Sequence, residues 1–129
     1  MNLRRVLALS VLAWTSTQYA AEASPEAVVR ELSVALLSRD ADRILAIFDR
    51  EHGGYAYTLR GDLTTGPAFE AWLRRDIIAR GRVFVIDRLQ VVGNRVEVEA
   101  TYGIGKPSIF RRYIFEVVDG KVAGWFIGY

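Results

Sequence analysis

From Ser24 onward the hydrophobic positions follow two periods, helical first and extended afterwards. Ser24-Pro25-Glu26 opens a helix with a capping serine, a proline at the first helical position and an acid in the first turn. Val28, Val29, Leu32 and Leu36 then recur at helical spacing and predict one buried stripe. Asp40-Ala41-Asp42 breaks that helix and caps a second, short one, whose stripe of Ile44, Leu45, Ile47 and Phe48 ends at His52-Gly53-Gly54. The two helices are expected to pair antiparallel. Tyr55 to Leu59 reads as a short strand and Arg60 to Gly66 as a polar loop. Pro67 then starts a third helix with Phe69, Trp72, Leu73 and Ile77 on one face, closed by Gly81.

After Arg82 the period drops to two. Val83 to Val92 is a strand, Gly93-Asn94 fits a hairpin turn, and Arg95 to Tyr102 alternates Val96, Val98, Ala100 and Tyr102 against Arg95, Glu97, Glu99 and Thr101. A loop from Gly103 to Pro107 leads to a long strand, Ser108 to Val118. Asp119-Gly120 is a tight turn, and Lys121 to Tyr129 is the last strand. Helix, helix, strand, helix and a four-strand meander predict an α+β domain, with three N-terminal helices packed on a curved antiparallel sheet.

Composition narrows the function classes. The 129 residues are 51% hydrophobic and 25% charged, the make-up of one globular domain. Seventeen Lys and Arg against fifteen Asp and Glu leave a formal +2, too even for a nucleic-acid footprint. The absence of cysteine excludes disulfides, thiolate metal sites and a cysteine nucleophile. With a single histidine, His52, neither a metal nor an organic cofactor is expected.

Residues 1–23 have the form of a secretory signal. Arg4-Arg5 is a basic start, Val6 to Trp14 an apolar run, and Ala21-Glu22-Ala23 a small-residue cleavage site. The run is far shorter than the roughly 20 residues a spanning helix needs. The expected mature domain is therefore 24–129, periplasmic or secreted, with no stable membrane anchor after leader removal.

The order of elements, with the ending Phe115-Glu116-Val117-Val118-Asp119-Gly120-Lys121-Val122-Ala123-Gly124-Trp125, resembles the nuclear transport factor 2-like (NTF2-like) superfamily, and within it the SnoaL-like branch. The resemblance implies a cone-shaped fold, with a pocket between the concave sheet face and the helices and a homodimer formed through the outer sheet face. Arg95-Val96-Glu97 is similar to the Arg-x-Asp element of limonene-epoxide hydrolases, although Ile127 stands where their second aspartate would follow the tryptophan. Against ketosteroid isomerases, Leu32 holds the place of the oxyanion-hole tyrosine, and Tyr55-Ala56-Tyr57 lacks the base.

Arg95, Glu97 and Glu99 share one side of their strand. They form either a solvated polar face or, with the sheet reversed, an acid/base pair of Glu97 oriented by Arg95, with Glu99 beside it, inside the pocket. Tyr57, Trp72, Tyr113, Phe115, Trp125 and Ile127 would line that pocket for a small, mostly apolar molecule, or act as plain core. Asp62 reads as a turn residue, Asp76 as a solvated charge beside Arg75 and Arg80, and Arg112 with Glu116 as a surface pair. Two functions follow. One is an exported small-molecule-binding domain with cofactor-independent acid/base chemistry of a hydrolase, isomerase or cyclase type. The other is a non-catalytic envelope protein that docks a partner through its sheet face.

Overall fold

The computed structural model describes residues 23–58, 61–102 and 109–128. Residues 1–22, over which a signal segment is expected, residues 59–60, residues 103–108 and residue 129 lie outside the described residues. Helix α1 spans Pro25–Ser38, with the Ser24 hydroxyl accepting from the Ala27 N–H at 3.1 Å as its cap. Its predicted stripe is buried, joined by Ala35. Helix α2 spans Ala41–Leu45 and is capped by Asp40, whose carboxylate accepts from the Arg43 N–H at 3.1 Å.

Helix α2 is shorter than its apolar stripe predicts, because Ile47 and Phe48 leave it for the sheet. The Val122 N–H donates to the Ile47 carbonyl at 2.8 Å, and the Asp49 N–H donates to the Val122 carbonyl at 2.9 Å. Strand β1 is Gly54–Ala56 and β2 is Thr64–Thr65, a strand inside what reads as loop. Helix α3, Gly66–Trp72, continues as a π-helix over Leu73–Ile78.

The meander is present as expected: β3 Phe84–Val92, β4 Arg95–Tyr102, β5 Ile109–Val118 and β6 Lys121–Gly128. Asp119 (φ 51°) and Gly120 (φ 75°) both take left-handed φ, as a type I′ hairpin turn requires. The full sheet has six strands in the order β2-β1-β6-β5-β4-β3. It is not purely antiparallel, because β1 runs parallel to β6, with Tyr55 opposite Trp125. That pairing joins residues far apart in sequence, which local periodicity does not encode.

One face of the sheet meets the helices. Val96, Val98 and Ala100 of β4, Tyr113, Phe115 and Val117 of β5, and Val122 and Trp125 of β6 are buried there. Among the described residues no buried side chain is charged.

Close approach at the entry to β1 requires a glycine. A Cβ on Gly53 would run into the Asp49 carbonyl and stand 2.8 Å from the Ala123 carbonyl oxygen, both rigid backbone. Gly53→Ala is therefore expected to destabilise the fold by about 1–3 kcal/mol through overpacking, read as a lowered midpoint in urea denaturation. An unchanged midpoint would show that the β1 entry gives way.

Candidate functional site

The alternation of β4 decides which acids can reach the interior. Val96 and Val98 are buried against the helices, so Arg95, Glu97 and Glu99 stand on the opposite, outer face. The expected inward pair of Glu97 and Arg95 is thus corrected. Turning it inward would expose two valines and bury three charges, and a molecule held on the helix side is out of its reach. Glu99 shares this outer face, where its carboxylate lies 3.7 Å from Arg88 and 3.9 Å from Arg112. Arg112 therefore leans toward Glu99 rather than Glu116. A broad groove of about 740 Å³ runs over this outer face, its floor including Ile114 and Phe126.

The helix side holds a second cavity, of about 300 Å³, between the α3 extension and the inner sheet face. Five of the expected lining residues, Tyr57, Trp72, Tyr113, Trp125 and Ile127, are there. Phe115 is not. It is wholly buried behind Trp125, with ring centroids 5.2 Å apart, and serves as core.

The walls are built by aromatic packing. Trp72 stacks on Tyr55 at 3.8 Å with planes 7° apart, and it meets Trp125 edge to face at 5.4 Å. Tyr113 meets Trp125 edge to face at 5.5 Å. The Trp72 indole N–H donates to the Tyr57 hydroxyl at 3.2 Å, which leaves that hydroxyl's own proton for another acceptor. The Trp125 Nε1 is buried without a hydrogen-bond partner.

Sequence reasoning missed the charged rim formed by Asp76, Arg80, Arg82 and Arg111. Asp76 lies within the π-helix. The Ala79 N–H donates to the Arg74 carbonyl at 2.9 Å, and the Arg82 N–H to that of Ile77 at 3.0 Å, both five residues back. Such widened turns recur at functional sites. Trp72, Asp76 and Arg80 then all line the same cavity. The Asp76 side chain is 19% exposed, held by Arg75 at 2.8 Å and faced by Arg80 at 3.7 Å. The Arg75 hydrogen bond, reinforced by the charges of Arg75, Arg80 and Arg82, holds its carboxyl below the usual aspartate range. Read alone, Asp76 among arginines looks like any solvated charge cluster.

Asp62 is exposed on its loop, and His52 is an exposed turn residue whose N–H donates to Asp49 at 3.0 Å. No group of three or more metal-ligating side chains gathers among the described residues.

Solved structures share this architecture. An NTF2-like protein of unknown function from Cytophaga hutchinsonii superposes with a TM-score of 0.67 at 12% identity, over 82% of this chain and 89% of that one. The chain has the NTF2-like fold. The epoxide hydrolase/cyclase-like enzyme SalBIII, of pyran ring formation in the polyether salinomycin, matches with a TM-score of 0.67 at 16% identity, over 81% of this chain and 88% of its own. An LEH-like epoxide hydrolase from M. tuberculosis matches with a TM-score of 0.60 at 21% identity, over 78% of each chain. Neither a family model nor a curated protein matches the chain by sequence. The cavity under the helices is the interior of this fold's cone.

Burial pushes the Tyr113 hydroxyl from its usual 10.0 up to about 12, against the opposing pull of the Arg111 and Arg82 cations. A raised folded value means that its contribution to stability is complete below pH 10.0 and is lost as pH rises toward about 12. In an alkaline titration followed by phenolate absorbance, Tyr113 is expected to give a late step near pH 12. Tyr113→Phe should remove that late step. A late step that survives in the variant would assign it to another tyrosine.

Proposed function

We propose that this chain is an exported SnoaL-like domain that holds a compact, mostly apolar molecule in its cone. The observation that carries the reading is the 300 Å³ cavity with an aromatic wall and a charged mouth, the usual build of a small-molecule site. Its likeness in fold to hydrolase- and cyclase-like enzymes supports the same reading, while fold by itself names no reaction. Any acid/base chemistry in the cone falls to Asp76, the one carboxylate lining it among the described residues. Held ionised, Asp76 can accept a proton or orient a water, and it is a poor proton donor at neutral pH. No cofactor enters this reading.

Export rests on the leader pattern of residues 1–23, and the homodimer on the outer sheet face. There, exposed Val85 and Val92 and half-buried Ile114 and Phe126 alternate with charges of both signs. A surface carrying both signs can complement its own copy across a two-fold axis. The alternative of a non-catalytic envelope protein would use this face for a different partner.

Native mass spectrometry of the protein recovered from its own host tests the reading. The expected spectrum shows a dimer of chains beginning at Ser24 that retains a small molecule. Ile127→Trp, which fills the cone, should abolish retention, while Glu97→Gln on the outer face should leave it unchanged. Retention lost in Glu97→Gln and kept in Ile127→Trp would move the site to the outer groove. A monomer without bound mass would shift the assignment to partner docking.

A further inference from the structure

The cavity of the cone is unevenly charged. Among the described residues it is lined by three arginines, Arg80, Arg82 and Arg111, and by one carboxylate, Asp76. That carboxylate is already met from outside the lining by Arg75 at 2.8 Å, while Arg80 faces it at 3.7 Å. Positive charge is therefore in surplus inside the cavity. Arg82 and Arg111 carry that surplus inward, since Arg80 is exposed whereas these two are half-buried. Arg111 stands two residues before Tyr113 on β5 and so shares the inner sheet face. The Arg82 N–H ties the segment before β3 to the π-helix at the Ile77 carbonyl, 3.0 Å away. Both charges are felt at the buried Tyr113 hydroxyl, where they pull against its raised pKa. Each of these arginines makes an interaction of its own within the chain. A guanidinium has five N–H donors, so it can keep one partner and still present an edge to a second. Partial loss of water raises the cost of the surplus, and an anion in the cavity offsets it.

We propose that Arg82 and Arg111 bind the carboxylate of a compact apolar acid whose ring lies against Trp72 and Ile127, an assignment that rests on the small-molecule reading above. A planar carboxylate matches the guanidinium fork and brings a single charge, which the surplus neutralises. A phosphate dianion would give up more hydration beside the same apolar wall. The ligand class is accordingly a cyclic monocarboxylic acid.

The test uses two probes of the same shape, cyclohexanecarboxylate and cyclohexanecarboxamide, which differ in charge. Neither absorbs where tryptophan emits, so binding to the purified protein at pH 7 is read from tryptophan fluorescence, with Trp72 and Trp125 both in the cavity wall. The acid is expected to bind about tenfold tighter than the amide. Arg111→Gln and Arg82→Gln should each shrink that preference to about threefold or less while leaving the amide's affinity unchanged. The unchanged amide shows that the cavity itself is intact in each variant. Arg88→Gln removes a cation from the outer face and should keep the full preference, which separates a local contact from the protein's overall charge. Equal affinities for acid and amide, or a preference that survives both Arg82→Gln and Arg111→Gln, would overturn the carboxylate site and leave the cone reading standing. Failure of both probes to bind would count against the cone reading and remove the carboxylate site with it.

Discussion

The packing around Trp125 is the interaction on which the rest of this structure depends. Its ring, on β6, touches Phe48 from the α2 exit, Trp72 from α3, Phe84 from β3, and Tyr113 and Phe115 from β5. One side chain of β6 thereby ties the helical layer to β3 and β5. Burying an indole is worth about 4–6 kcal/mol at the usual area coefficient, against about 1–3 kcal/mol for its unmet N–H. Packing wins even with the donor unpaired. Trp125 faces both core and cavity, and the same contacts that stabilise the cone also fix the shape of its wall.

A second constraint follows from strand geometry. With Val96, Val98 and Ala100 committed to the core, the odd-numbered positions of β4 have nowhere to go but outward. A one-residue slip would exchange the two sets, but pairing with β3 and β5 on either side holds the register, with Arg95 opposite both Val92 and Glu116. The acids that look most like catalytic groups in the sequence are therefore excluded from the cone by the valines between them. The acid that lines the cavity sits on a helix instead, four residues after Trp72.

That contrast measures how much of the molecule is legible in its sequence. The hairpins and α1 are local, carried by alternation, turn residues and caps, and they form where those signals lie. The aromatic lining is legible in part: Trp72 lies on the helical stripe and Tyr113 alternates with Phe115 and Val117, whereas a bulge in β6 turns Trp125 and Ile127 to the side of Val122, which strict alternation does not predict. The parallel pairing of β1 with β6 is not, since Tyr55 and Trp125 are brought together by tertiary packing. Nor is β2, whose two threonines owe their strand to β1. Asp76 was hidden for a different reason. Its neighbours Arg75 and Arg80 make an ordinary solvated cluster in one dimension, and its four-residue spacing from Trp72 gains meaning only once Trp72 is seen to line a cavity.

The site divides its labour by depth. At the mouth, the charges of Asp76, Arg75 and Arg80 stay hydrated and strongly coupled, so they can exchange protons or orient water but gain little from gripping a ligand in high dielectric. Deeper, the surroundings are apolar, and each hydrogen bond counts for more because water does not compete. A compact, mostly apolar molecule in the cone would meet the aromatic wall deeper in and the ionised Asp76 carboxylate at the charged end. Binding and acid/base capacity thus come from different elements, sheet and helix, and the cone wall built around Trp125 sets the distance between them.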